Sequence, residues 1–179
     1  MLRPLTVDDA PALTAAIRTD PDLDRWTRIP FPYTEDHARE FLASTEESAF
    51  AILDRTTGEL LGGIGARAQE AAIVEIGYWV KAEARGRGVA TRALVLVARF
   101  AFAELGAARV QLTTEPDNVG SQRVAEKAGF TREGTLRSLL EFKGRRRDAV
   151  MFSLLPEELE DLRRAPAEGP AASLPPLQP

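Results

Sequence analysis

Residues 75–91 (EIGYWVKAEARGRGVAT) constrain the fold more than any other part of the chain. Residues 74–80 concentrate β-branched and aromatic side chains, a pattern that predicts a strand. Residues 85–90 (RGRGVA) then carry two glycines, and an apolar run without Gly or Pro continues to Gly106. The predicted order is therefore strand, glycine-rich turn and helix. Because the first N–H groups of a helix lack internal partners and carry partial positive charge, such a turn is suited to an anion.

The glycines and arginines of this turn make it a candidate phosphate site, and a plain strand-to-helix turn is the alternative. Glycine allows close backbone approach to a phosphate, while Arg85 and Arg87 add charged donors. The turn is not a P-loop, because no Gly-Lys-Ser/Thr follows. It is a poor dinucleotide fingerprint, because the third glycine is missing and Leu105 and Gly106 stand where an acidic ribose ligand belongs, about 20 residues on. These mismatches indicate a different phosphate-bearing ligand.

Several motifs in the right order resemble one enzyme family. Residues 85–90 resemble the Q/R-x-x-G-x-G/A signature of the GCN5-related N-acetyltransferases (GNAT), which hold the pyrophosphate of acetyl-CoA, and residues 75–80 resemble that family's fourth strand. Residues 118–121 (NVGS) and 126–134 (EKAGFTREG) are similar to segments of the RimJ/RimL-type branch, which acetylates the N-termini of ribosomal proteins. The likeness spans roughly residues 2–155.

The resemblance implies an α+β fold with three layers, α/β/α, around a central mixed, mostly antiparallel sheet of about seven strands with helices on both faces. Strand patterns at residues 48–54, 59–66 and 71–80, joined by short turns, predict an antiparallel meander. Residues 130–136 and 146–155 are predicted as closing strands. We expect one N-acetyltransferase domain over residues 1–164 and a disordered Pro- and Ala-rich tail over residues 165–179.

The composition limits the class of protein. The 179 residues are 44% hydrophobic and 28% charged, which is typical of one globular domain, and the net charge of −4 argues against general nucleic-acid binding. The absence of cysteine excludes disulfides and thiolate metal sites, so we expect a cytoplasmic protein without a metal. No signal peptide is recognisable, and the apolar run at residues 93–103, interrupted by Arg99, is shorter than the about 20 residues of a membrane span.

Residues 19–33 contain three prolines and no clean period, so we predict a loop. Three aromatic residues, Trp26, Phe31 and Tyr33, lie in it. They are compatible with a small core beneath a loop. The resemblance favours a second interpretation, the wall of the substrate pocket, because this region forms the acceptor side in related enzymes.

The resemblance also assigns the acetyl-CoA contacts. A backbone N–H near Val80 is expected to face the thioester oxygen, Asn118 to bind the pantetheine arm, and Ser121 to protonate the leaving thiolate. Without the resemblance, Asn118 would be interpreted as a helix cap and Ser121 as a serine of the first helical turn. The full set of expected cofactor-binding residues is Trp79, Val80, Arg85, Gly86, Arg87, Gly88, Val89, Ala90, Thr91, Asn118 and Ser121.

Two carboxylates are candidates for the general base. Glu75 shares a strand face with Gly77 and Trp79 by period-two spacing. Glu141 lies one residue from the position of a glutamate proposed in the family. We rank Glu75 first, although each could be a solvated carboxylate. An α-amine, with a pKa of about 7.7–8.0, would need less help from a base than a lysine amine, whose pKa is about 10.4.

The leading hypothesis is therefore an acetyl-CoA-dependent N-acetyltransferase acting on a primary amine, either a protein N-terminus or a small amine, as a monomer or a homodimer. A catalytically idle acyl-CoA-binding module that senses or scaffolds is one alternative. A nucleotide-binding protein that uses the same turn for another pyrophosphate is a second alternative.

Overall fold

The structure, a computed structural model, describes residues 1–44 and 48–159. Its strands are β1 (Leu2–Pro4), β2 (Ser48–Leu53), β3 (Leu60–Ala68), β4 (Ile73–Val80), β5 (Arg109–Thr114), β6 (Thr131–Phe142) and β7 (Arg145–Leu154). Its helices are α1 (Ala10–Arg18), α2 (Pro21–Trp26), α3 (Glu35–Ala43), α4 (Val89–Glu104) and α5 (Val119–Lys127). None of the helices described in residues 1–44 and 48–159 has the length and apolar content to cross a membrane.

The seven strands form one open sheet in the order β1-β2-β3-β4-β5-β7-β6. All neighbouring strands are antiparallel except β4 and β5, which run parallel. The predicted meander of β2, β3 and β4 and the mixed, mostly antiparallel sheet are both confirmed. The β4–β5 pairing covers only Ile73–Glu75 against Arg109–Gln111. Beyond these residues the two strands have no pairing, which leaves a gap inside the sheet.

Helices cover both faces of the sheet, as the three-layer prediction requires. On one face, α4 and α5 bury a large core that includes Leu94, Val97 and Phe152. On the other face, α1, α2 and α3 bury a smaller core that includes Leu13 and Tyr33. Because each strand alternates its side chains between the two faces, neighbouring residues of β4 serve different cores.

The prediction of a loop over residues 19–33 is wrong in part, because α2 lies within it. Asp20 caps this helix by accepting a hydrogen bond from the Asp22 N–H at 3.1 Å, and Pro21 occupies the first position, where no N–H is needed. A helix of 6 residues is shorter than two turns. It therefore shows no clear helical period, and only its start signals were readable.

The first closing strand, β6, extends to Phe142 instead of ending at residue 136, whereas β7 agrees with its predicted bounds within one residue. They reach a tight hairpin at Lys143 and Gly144, whose φ angles of 49° and 71° are both left-handed. Two-residue turns of this kind join twisted antiparallel strands directly. The charge pattern of residues 143–147 (KGRRR) predicts a solvated hairpin tip, but most of this basic run lies within β7. A short terminal helix is predicted for residues 156–164, and residues 156–159 are helical. Its remainder and the predicted tail lie outside the described residues.

Glu133, which belongs to the segment EKAGFTREG (residues 126–134), links β6 to β5 and β7 through hydrogen bonds. It accepts two hydrogen bonds from Arg109, at 2.8 and 2.5 Å, and one from Ser153 at 2.8 Å. These donors, the Arg109 guanidinium first, lower the pKa of Glu133 from 4.5 to about 2. The carboxylate therefore stabilises the fold fully above pH 4.5, and this contribution is lost as pH falls towards 2.

We expect Glu133→Gln to lower the melting temperature by about 2–4 °C at pH 7, because the pair is partly exposed and contributes modestly. The difference between variant and wild type should shrink below pH 4.5 and vanish near pH 2. Thermal unfolding followed by circular dichroism from pH 2 to 7 measures it. A difference that is constant with pH would show that the charge of Glu133 does not stabilise the fold.

Candidate functional site

A cavity of about 980 Å³ occupies the gap between β4 and β5. Its lining comes from both faces of the sheet. The α1–α3 side contributes mainly apolar side chains, including Leu13, Ile17, Leu23, Trp26, Tyr33 and Phe41. The α4–α5 side contributes Gly86, Gly88, Thr91, Asn118, Ser121 and Lys127. Two ligands can therefore approach one another through the sheet from opposite faces.

The backbone of β4 directs hydrogen-bonding groups into this gap. The Gln69 N–H donates to Ile73 O at 2.7 Å, and the Lys81 N–H donates to Leu61 O at 2.9 Å, so odd-numbered β4 residues pair with β3. Because antiparallel pairing alternates, the N–H groups of Tyr78 and Val80 point towards the opposite edge. That edge faces the gap, where an extended ligand could add as a strand.

The glycine-rich turn forms one end of the cavity. Gly86 and Gly88 adopt left-handed φ angles of 73° and 70°, and Gly88 is the N-terminal cap of α4. A Cβ on Gly86 would meet no atom within 4 Å, so the space beside this turn is open. Left-handed glycines beside the first N–H groups of a helix of 16 residues suit an anion. This geometry fits the pyrophosphate of a CoA molecule.

The two arginines of the turn are placed differently from the sequence prediction. Arg85 donates to Asp22 at 2.7 Å and to the buried carboxylate of Asp20, and its Nε donates to Val80 O at 3.1 Å. It thus ties the turn to α2. Arg87 is exposed, lies 3.8 Å from Asp54 and does not line the cavity. Arg85 lines the cavity, but two carboxylates already hold its guanidinium.

Two cations of α5 also line the cavity, although the sequence patterns did not single them out. Arg123 and Lys127 lie four residues apart on α5, so they project from the same helix face. Lys127 belongs to the K-x-G-F motif, which the sequence analysis used only as a family marker. They provide positive charge on the α4–α5 side of the cavity, whereas Arg85 is already paired with Asp20 and Asp22 and Arg87 does not line the cavity.

Ser121 lies on the α4–α5 side of the cavity beside Tyr78, a residue that the sequence patterns did not single out. The Ser121 Oγ and Tyr78 Oη are 2.8 Å apart, a hydrogen bond in which either can donate. Burial raises the pKa of Tyr78 to about 12, so its phenol stays protonated at neutral pH. Asn118 accepts from the Ser121 N–H at 3.0 Å and caps α5. An aromatic residue in a strand is normally interpreted as a core residue. Only the tertiary contact shows that Tyr78 is a partner of Ser121.

The structure separates the two carboxylates considered for the general base. Glu75 lines the cavity, and its Oε2 accepts from Arg67 at 3.0 Å and from Gln69 at 2.6 Å. Glu141 lies on β6 with a side chain that is 70% exposed, 3.5 Å from Arg146, and it does not line the cavity. The geometry therefore leaves Glu75 as the candidate and does not bring Glu141 to the site.

Two of the three aromatic residues expected on the acceptor side line the cavity. Trp26 lies on α2, with the Arg25 guanidinium 4.3 Å from its ring centroid, and Tyr33 is buried. Phe31 is 55% exposed and does not line the cavity. Within residues 1–44 and 48–159 no group of His, Cys, Asp and Glu side chains could hold a metal ion.

Comparison with known proteins agrees with this architecture. A sequence model of the acetyltransferase (GNAT) domain family matches residues 1–131. The uncharacterized N-acetyltransferase p20 of Bacillus licheniformis is 30% identical over 167 residues, which cover 88% of this chain and 93% of that protein.

Two solved structures share the fold closely. The GCN5-related N-acetyltransferase from Brucella melitensis superposes with a TM-score of 0.76 at 27% identity, covering 92% of this chain and 79% of that chain. Mycobacterium smegmatis RimJ in complex with CoA-disulfide superposes with a TM-score of 0.79 at 24% identity, covering 92% of this chain and 88% of that chain. The chain belongs to the acetyltransferase (GNAT) domain family and is an N-acetyltransferase.

Proposed function

We propose that this N-acetyltransferase transfers the acetyl group of acetyl-CoA to a primary amine by direct attack in a ternary complex. The observation that carries the proposal is the gap between β4 and β5, which joins a glycine-rich anion site on one face of the sheet to an apolar compartment on the other. A cofactor and an acceptor that enter from opposite faces can meet inside the sheet. This arrangement favours a direct transfer without a covalent enzyme intermediate.

The α4–α5 side of the cavity, which we call the cofactor end, has groups for the pyrophosphate and the pantetheine arm of acetyl-CoA. The pyrophosphate would lie against Gly86, Gly88 and the first N–H groups of α4, and the pantetheine arm would pair with the β4 edge at Tyr78 and Val80. Arg123, which lines the cavity, adds positive charge. Acetyl-CoA supplies the activated acetyl group, a thioester.

The proton balance of the transfer involves two parts of the site. The amine nitrogen forms a bond to the acetyl carbon, the carbon–sulfur bond breaks, the amine loses a proton and the thiolate gains one. Ser121, hydrogen-bonded to Tyr78, is placed to donate at the cofactor end. Glu75, a carboxylate of β4 that lines the cavity, would attract the ammonium group on the acceptor side and accept its proton.

A protein N-terminus or a small amine is the proposed acceptor. An α-amine is roughly one-tenth deprotonated at pH 7, so it requires only weak base catalysis. This suits Glu75, whose carboxylate is already paired with Arg67. The expected cytoplasmic location, the absence of nucleic-acid partners and the choice between monomer and homodimer stay predictions.

Calorimetric titration of the full chain with acetyl-CoA, CoA and NAD tests the proposal. We expect both CoA species to bind with micromolar dissociation constants and NAD to show no binding. Release of CoA in the presence of N-terminal peptides and small amines then tests for turnover. Binding of NAD in place of CoA would contradict the pyrophosphate assignment. Binding of acetyl-CoA without transfer to any amine would favour an idle binding module.

A further inference from the structure

The cavity floor on the α1–α3 face consists of three rows of cross-strand neighbours. The outer row pairs Arg67 with Glu75, and the opposite outer row pairs Gly63 with Trp79. Between them lies a row formed by Ala49, Gly65 and Gly77, which are direct neighbours across β2, β3 and β4. We call this middle row the small-residue row.

The small-residue row carries almost no side chains. Successive rows on one face lie two residues apart along a strand, or about 6.6 Å. The row therefore forms a slot in which Gly77 is exposed, Ala49 is partly exposed and Gly65 is buried. The Glu75 carboxylate borders this slot on one side, and the Trp79 indole borders it on the other. All three residues of the row line the cavity.

Gly77 differs from the neighbouring strand glycines in having free space above it. A Cβ on Gly62 would lie 2.3 Å from Trp79 O, and one on Gly63 would lie 2.7 Å from Trp79 Nε1, so packing explains both. A Cβ on Gly77 would meet no atom within 4 Å, and the φ angle of Gly77 is not positive. Neither packing nor backbone conformation therefore requires glycine at position 77. A side chain at this position would reduce the volume of the cavity.

The chemistry around the slot indicates what would fill it. The Glu75 carboxylate can attract an ammonium group at one border. The Trp79 indole and the apolar residues above, such as Leu13 and Ile17, offer contacts to a carbon skeleton. A primary amine borne on an apolar group matches both features.

We propose that the small-residue row is the acceptor slot and that Gly77 determines which acceptors fit. The amine-bearing carbon and its apolar substituent lie on the bare peptide at Gly77, with the nitrogen next to Glu75. This assignment rests on the proposed acetyl transfer and specifies the acceptor class as an apolar primary amine.

Two bisubstrate conjugates test the slot without requiring turnover. In each, the CoA sulfur carries a –CH2–C(=O)– group whose carbonyl carbon forms an amide with the nitrogen of ethylamine in one conjugate and of phenethylamine in the other. We expect wild-type protein to bind the phenethylamine conjugate about tenfold or more tightly than acetyl-CoA. Gly77→Val should lose that gain while binding acetyl-CoA within about twofold of wild type, because valine fills the acceptor space alone. Gly77→Ala should lose part of this gain in affinity. Both substitutions should weaken binding of the ethylamine conjugate less than binding of the phenethylamine conjugate.

Ala68→Val is the matched control, because it adds volume to an exposed strand position that does not line the cavity. It should leave all three dissociation constants unchanged. The proposal is overturned if wild type binds the phenethylamine conjugate no better than acetyl-CoA, or if Gly77→Val retains the full gain. It is also overturned if the valine weakens acetyl-CoA as much as the conjugate. Failure of wild type to bind acetyl-CoA at all would instead count against the proposed function.

Discussion

Replacement of Gly88 by valine is expected to raise the dissociation constant for acetyl-CoA by about 100-fold or more, which corresponds to about 2.7 kcal/mol. Gly88 caps α4 with a φ angle of 70° and lines the cavity. A Cβ there would lie 2.9 Å from Arg92 Nη1, so a branched side chain would have to displace this guanidinium and would crowd the helix N-terminus. The first N–H groups of α4 could then no longer reach the pyrophosphate. Calorimetry with acetyl-CoA measures the loss directly.

Strain is the confounding effect, because valine is disfavoured at any left-handed position by about 1–2 kcal/mol or more. Gly58 provides a matched control. It has a φ angle of 73°, its Cβ would meet no atom within 4 Å, and it does not line the cavity. Gly58→Val should lose similar stability but bind acetyl-CoA normally. Equal loss of binding in both variants, or unchanged binding in Gly88→Val, would refute the phosphate assignment for this turn.

Substitution of Ser121 by alanine should lower kcat by about 100-fold while changing the acetyl-CoA dissociation constant by less than about threefold. The helix should persist, because Asn118 caps the backbone N–H of residue 121 rather than the hydroxyl. Removal of the hydroxyl leaves the thiolate without its nearest proton donor. Steady-state kinetics with a peptide or small amine, together with calorimetry, separate the two effects.

Tyr78→Phe should produce a smaller loss in kcat, about tenfold, since it removes only the partner of the Ser121 hydroxyl. If the pair acts as one unit, the double variant should be little slower than Ser121→Ala alone. Multiplicative losses would show that the two hydroxyls act independently. An unchanged kcat in Ser121→Ala would show that Ser121 takes no part in the transfer and is only a residue of the first turn of α5.

Much of the fold could be predicted from local patterns. The strand over residues 73–80, the two glycines and the long apolar helix follow one another in a short stretch, so propensity and turn chemistry alone identify them. The helix α2 was missed because 6 residues show no helical period. The extension of β6 to Phe142 was missed, and the basic run at residues 143–147 resembled a solvated loop although most of it lies in β7.

The site was less predictable, because its geometry depends on contacts between distant segments. Arg85 looked like a phosphate donor in the sequence, yet Asp20 and Asp22, more than 60 positions earlier, hold its guanidinium. Glu141 looked like a base by its position in a motif, yet its strand directs it to solvent. Local patterns identify a residue type and its spacing, but they do not say which charge is already paired.

The strand–turn–helix unit, the family and the candidates Gly86, Gly88 and Ser121 follow from residues close together in the chain, so local patterns were enough to find them. The contact of Tyr78 with Ser121, and the position of Glu75 rather than Glu141 at the cavity, emerge from the folded chain. It alone placed Gly65 beside Gly77. The physical reason is that strand register and the parting of β4 from β5 are set by packing across the whole sheet, which no local pattern records.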